Sequence, residues 1–180
     1  MYINAHQMAI INCMVNSKVT NYVWPGMESS LLGGEGFGTV RLFENTREQH
    51  TDITPHSHRY NFVCIVLRGQ VTNKIWRERL DAVGDEYSQQ DLVYNGEIGS
   101  HSRSTRSIVS NWGYTSSVYD AGDTYSMDYE QIHSIKFSRN ALVLFLEGPS
   151  VTNTSQILQP VINDEVVPTF KVEPWMFKKS

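Results

Sequence analysis

The sequence predicts an all-β chain folded as a sandwich or a closed barrel, and three observations carry that expectation. Val and Ile total 29 against 10 Leu, and aromatic residues make up 11% of the chain. Such β-branched and aromatic side chains suit a pleated, half-buried surface. Short apolar runs alternate with Gly, Pro, Asn and Ser clusters, as strands alternate with turns. With 180 residues and 40% apolar content, the chain supports one domain with its own core.

Along the chain, Ile3, Met8, Ile11, Met14 and Val15 fall loosely on one helical face, so a short N-terminal packing helix is expected. Gly33, Gly34, Gly36 and Gly38 follow. A phosphate-cradling loop opens a helix, but these glycines run into Thr39–Glu44, which reads as a strand. Asn61–Arg68 is an apolar strand that Gly69-Gln70 turns into Val71–Arg77. There Val71, Asn73 and Ile75 face opposite to Thr72, Lys74 and Trp76. Residues 78–118 are polar and read as long hairpins and loops, with strands near Asp91–Asn95 and Ile108–Trp112, appended over one mouth of the barrel. A turn at Tyr119–Asp123 precedes strands Ile132–Phe137 and Ala141–Glu147, which Ser138-Arg139-Asn140 joins. Pro160, Pro168 and Pro174 break the tail into short extended pieces, among them an edge strand at Val166–Lys171.

Composition narrows the function. Charged residues make up 19% of the chain, below the roughly 25% usual for soluble domains. Uncharged polar residues replace them, with 18 Ser, 12 Thr and 12 Asn. A net charge of −4 leaves no basic footprint for nucleic acid. No apolar run reaches the roughly 18 residues of a membrane span, and no basic region precedes an apolar one as in a signal peptide. A cytoplasmic protein is expected, with Cys13 and Cys64 as buried thiols.

The chemistry concentrates in Pro55-His56-Ser57-His58-Arg59-Tyr60-Asn61-Phe62. Along an extended chain His56 and His58 point to one face and can hold one metal ion together. His133 lies on the strand 132–137 with Ile135 and Phe137 on its own face. If these strands share one closed sheet, the three imidazoles project into the same interior. Tyr60, Phe62 and Cys64 share the parity of His58, so Tyr60 is a candidate hydrogen-bond donor to substrate. Arg41, Arg59 and Arg68 are candidates for a substrate carboxylate or phosphate; Arg59 is out of phase with the histidines, which leaves Arg41 as the second candidate catalytic residue.

These motifs resemble those of the cupin superfamily, whose first motif is G-x5-H-x-H-x3-4-E-x6-G and second G-x5-P-x-G-x2-H-x3-N. His56, His58 and Gly69 match the first, and Gly122 and His133 match the second, over about residues 38–148. The resemblance implies a single RmlC-like domain, a double-stranded β-helix or jelly roll, flanked by an N-terminal segment (1–37) and a tail (149–180), and a homodimer. Phe62 stands where the motif has its metal-binding Glu, and Asp128, Glu130 and Phe137 replace Pro, Gly and Asn. Three histidines without a carboxylate are similar to the thiol dioxygenases, cupins that hold iron(II) in this way. His56, His58 and His133 are then the expected ligands of one divalent metal, iron(II) first, with zinc or nickel also suited. Three neutral ligands leave the ion its full charge, which favours a small anionic substrate. The implied function is an Fe(II)-dependent dioxygenase. The alternatives are a non-catalytic cupin that binds a small metabolite or nucleotide, and a metal-free sugar epimerase of the RmlC type, which needs a carboxylate-held His and a Tyr acid.

Overall fold

The computed structural model describes residues 17–33, 38–80, 84–95, 101–162 and 165–166. Twelve strands are found there: β1 (Val19–Thr20), β2 (Met27–Gly33), β3 (Thr39–Asn45), β4 (Tyr60–Arg68), β5 (Gln70–Glu78), β6 (Asp85–Tyr94), β7 (His101–Asp120), β8 (Thr124–Met127), β9 (His133–Phe137), β10 (Leu142–Ser150), β11 (Thr154–Ile162) and β12 (Glu165–Val166). They form two six-stranded sheets, β1-β2-β3-β10-β4-β8 and β12-β11-β6-β7-β5-β9. Neighbouring strands are antiparallel throughout. Among the described residues no helix is long and apolar enough to cross a membrane. The expected N-terminal helix, Cys13 and all of Val166–Lys171 beyond Val166 lie outside the described residues.

The chain crosses between the sheets from β4 to β5 and at every step from β7 to β11, as in a jelly roll. Gly69 does not close a hairpin within one sheet: it carries the chain from β4 in the first sheet to β5 in the second. Its φ is +74°, and a Cβ there would lie 2.8 Å from the Ala141 Cα, so the corner requires glycine. The 138–140 turn likewise links β9 to β10 across the sheets, with Asn140 at φ 62°. A turn has the same composition whether it reverses a strand or crosses between layers, so composition alone does not separate the two. Residues 78–118 depart further from expectation. They are no appended flap: β6 and the twenty-residue β7 are inner strands of the second sheet. Their polar composition goes with exposure to water: residues 114–118 of β7 are exposed at every position.

The core fills the space between the sheets. Along β4, Phe62, Cys64 and Val66 are buried at every second position, and β10 answers with Val143 and Phe145. Met27, Val71 and Phe137 complete the cluster. Two buried amides fasten the connection from β3 to β4 along the edge strand β9. The Asn45 side chain donates to the Phe137 and Ser138 carbonyls. Gln49 donates to the Ile135 carbonyl and accepts from the Phe137 amide.

That connection closes the second sheet. His56 exchanges both backbone hydrogen bonds with His133 on β9, at 2.8 and 2.9 Å. On its other side, Ser57 donates to the Gln156 carbonyl and Leu158 to the Pro55 carbonyl on and from β11. A three-residue segment thus bridges β9 to β11 and makes the sheet a ring. The candidate ligands sit on this closure.

Candidate metal centre

The structure brings His56, His58 and His133 together from two segments distant in sequence. His56 and His58 precede β4 in a bridge and loop, where a strand entry is expected, yet their rings still meet at 4.9 Å between centroids. His133 opens β9 and lies 4.9 Å from His56 and 5.1 Å from His58. One ring nitrogen from each falls within 4.8 Å of the others. His133 is 3% exposed, and the cluster faces a cavity of about 160 Å³ between the sheets.

Hydrogen bonds fix which nitrogen each ring presents. His56 Nδ1 is 2.7 Å from the Thr54 carbonyl, which only accepts, so Nδ1 carries the proton and Nε2 keeps its lone pair. His133 Nδ1 donates in the same way to Asn73 Oδ1 at 2.8 Å, and the Asn73 amide group is turned to the Met127 sulfur. Metal-binding histidines are oriented by such outer hydrogen bonds. His58 Nε2 lies 3.0 Å from His133 Nε2. Two ligands of one ion with bonds of ~2.1 Å at a right angle stand ~3.0 Å apart, so the pair already has the spacing of adjacent ligands.

Burial lowers the pKa of His56 and holds His58 and His133 well below the ordinary value of 6.5; His56 depresses both of these further, and His58 also depresses His133. Protonating one ring would place a charge in an apolar site beside two more imidazoles. The rings are therefore neutral at neutral pH, the state in which imidazole binds a metal. The donor set fits one divalent ion held by three neutral nitrogens.

Phe62 occupies the place of the missing carboxylate. Its ring stands 4.8 Å from His58, 5.7 Å from His133 and 4.5 Å from Phe145. Tyr60 lines the same cavity, 5.3 Å from His58. Burial, then the nearby Glu147 carboxylate, raises its hydroxyl well above the usual phenol value. Arg41 is placed otherwise than its candidacy for substrate suggests. On β3 its Nε lies 3.2 Å from Glu147 Oε1, its Nη1 lies 3.5 Å from Ser29 Oγ, and it does not line the cavity. Arg59 lies over the Tyr94 ring at 4.0 Å, and Arg68 pairs with Glu44 at the surface. Burial pushes the Cys64 thiol up to about 12, which leaves it protonated and unreactive.

Three contributors were missed in the sequence. Asn73 and Thr54 orient rings, and Glu147 brings a carboxylate into the cavity directly across from Phe62 in the β4–β10 register. Glu147 carried a legible signal, since it shares the parity of Val143 and Phe145. Among the described residues no carboxylate is hydrogen-bonded to any of the three histidines, and Asp52 pairs instead with Lys74 at 2.7 Å.

No family model and no curated protein matches the sequence. Solved structures do match in fold. An RmlC-like cupin from Shewanella frigidimarina is 13% identical over 69% of this chain and 78% of its own, with a TM-score of 0.40. KdgF from Halomonas sp. is 12% identical over 71% and 84%, with a TM-score of 0.38. Streptomyces albus HEPD, solved with 2-hydroxyethylphosphonate and Fe(II) bound, is 15% identical over 75% of this chain but 24% of its own, with a TM-score of 0.45. The chain is similar to cupins, and a three-histidine cluster is present.

Proposed function

We propose that this chain binds one divalent metal through His56, His58 and His133 and acts as an Fe(II)-dependent dioxygenase on a small molecule held in the cavity. The observation that carries the reading is the pair of Nε2 atoms 3.0 Å apart, with His56 and His133 locked at Nδ1 by Thr54 and Asn73. Bound iron(II) would supply the redox and Lewis-acid chemistry. The protein's own contribution is to hold three neutral rings toward one point, seal it with Phe62 and Phe145, and keep water from the apolar wall.

The 3.0 Å contact also supports a second reading. A His58 Nε2–H donating to the His133 Nε2 lone pair satisfies both atoms without a metal, and the barrel is then a binding module. The epimerase reading has less support, because the rings rest on a carbonyl and an amide instead of a carboxylate.

Oxygen uptake separates the readings. Protein loaded anaerobically with iron(II) is screened against small thiols, phenols and acids in an oxygen electrode. The proposal expects stoichiometric oxygen consumption with at least one class, lost in His58→Ala. Iron-loaded protein that consumes none with any class supports the binding module.

A further inference from the structure

The cavity carries information about its ligand that the histidines do not. Among the described residues lining it, Glu147 alone bears a formal charge at neutral pH; apart from the three histidines, the Cys64 thiol and the tyrosine hydroxyls the wall is apolar, with Val143, Phe137 and Phe145 deep and Tyr22, Phe43 and Tyr60 half-buried. The Glu147 side chain is 12% exposed. The cation that balances it, Arg41, stands behind it: Nε contacts Glu147 Oε1 at 3.2 Å, Nη1 reaches toward Ser29, and the guanidinium lies 5.5 Å from the Tyr22 ring centre.

This arrangement turns the electrostatics of the cavity against an anionic tail. Arg41 does not line the cavity, so it offers a ligand carboxylate no partner unless its side chain moves, and a move that breaks the Nε contact leaves Glu147 unpaired. A ligand anion at this end also meets Glu147 as a like charge in a weakly screening apolar pocket. A hydroxyl fares better. A carboxylate offers about four acceptor positions, and Arg41 and the neighbouring Tyr60 hydroxyl leave some of them free for a donor. A cationic ligand would have to share the carboxylate with Arg41 and would bring a further charge into an apolar cavity.

We propose that Glu147 is the specificity-determining residue of this cavity. It selects small ligands whose part facing Glu147 is uncharged, largely apolar and tipped with a hydroxyl donor. This rests on reading the cavity as the ligand site. Among the described lining residues, a negative group would find a positive partner only at the histidines, where a divalent cation would sit. The cavity volume of about 160 Å³ sets the size at roughly one aromatic ring, since a 150 Å³ apolar cavity holds benzene.

The test uses the full chain free of metal, so that it does not depend on the metal reading. Benzyl alcohol, benzoate and benzylammonium share a ring and differ at the tip; each is titrated by NMR, with the histidine ring protons reporting occupancy of this cavity. Benzyl alcohol is expected to shift those protons and to bind at least tenfold tighter than benzoate or benzylammonium. In Glu147→Gln the ratio of alcohol to benzoate narrows to below about threefold, mainly because benzoate gains. Benzoate or benzylammonium binding as tightly as the alcohol in the native protein overturns the proposal, as does a ratio unchanged in a folded Glu147→Gln. Absence of any histidine shift with all three probes overturns it too. Should the variant not fold, the ranking in the native protein decides. Metal uptake is measured on separate samples. Protein that takes metal but prefers benzoate loses this inference and keeps the metal site; protein that prefers the alcohol but takes no metal does the reverse.

Discussion

Asn73 decides how His133 presents itself. Its Oδ1 takes the Nδ1 proton, and at 2% exposure it has no water to replace that bond. Removing such an outer partner usually costs 10–100-fold in metal affinity. Asn73→Ala is therefore expected to weaken cobalt or zinc binding by about that factor while the folded β signal in circular dichroism persists; unchanged affinity would remove Asn73 from the site. Phe62 poses the complementary case. Phe62→Glu buries a carboxylate among Phe145, His58 and His133. Without metal the variant should melt well below the native protein, because an unpaired buried charge is costly. Added divalent metal should recover most of that loss, which thermal melts with and without the ion will show. The histidine triplet was legible in the sequence because its spacing and parity survive without a regular strand. Asn73 was not, because an Asn at an inward position reads as ordinary strand until its cross-strand neighbours are known; Glu147 was open to the parity argument through Val143 and Phe145.

At the scale of elements, the site depends on corners and edges more than on strands. The segment 55–57 joins β9 to β11, so the backbone that carries His56 and precedes His58 is also the closure of the second sheet. Gly69 sets the corner that sends β4 and β5 into different sheets. Gly69→Ala forces a Cβ against the Ala141 backbone at positive φ and is expected to cost more than ~1 kcal/mol, or at least ~2–4 °C of melting temperature for a chain of this size. A melting temperature equal to the native one would mean that the corner relaxes freely. The strands Thr39–Glu44, Asn61–Arg68, Val71–Arg77, Ile132–Phe137 and Ala141–Glu147 were readable from apolar alternation, and β3, β4, β5, β9 and β10 lie on them. The strands β2, β8 and β11 were not read: Ser29 and Ser30 hold buried positions in β2, β8 has four residues, and β11 contains Pro160. In each, tertiary pairing overrides a weak local signal.

For the whole molecule, three histidines held neutral in the core link stability to pH. In the unfolded chain they titrate near 6.5, and burial, joined by mutual repulsion, lowers them in the folded one. Below about pH 6.5 the unfolded chain takes up protons that the folded chain refuses, so the metal-free protein loses stability as pH falls from there toward the folded values. Above about pH 7 these groups contribute no slope. Urea midpoints between pH 7.5 and 5 should fall with acid, and fall less steeply in His58→Gln. Equal slopes for the two proteins would show that His58 is not held neutral by the fold.

The most direct measurement is the metal content of untagged protein and of His58→Ala by plasma mass spectrometry, after purification without chelator and after anaerobic loading with iron(II). About one equivalent of a divalent metal is expected in the native protein and almost none in the variant. No metal in either, even after loading, would contradict a three-histidine metal centre and leave the 3.0 Å contact between His58 and His133 as a hydrogen bond.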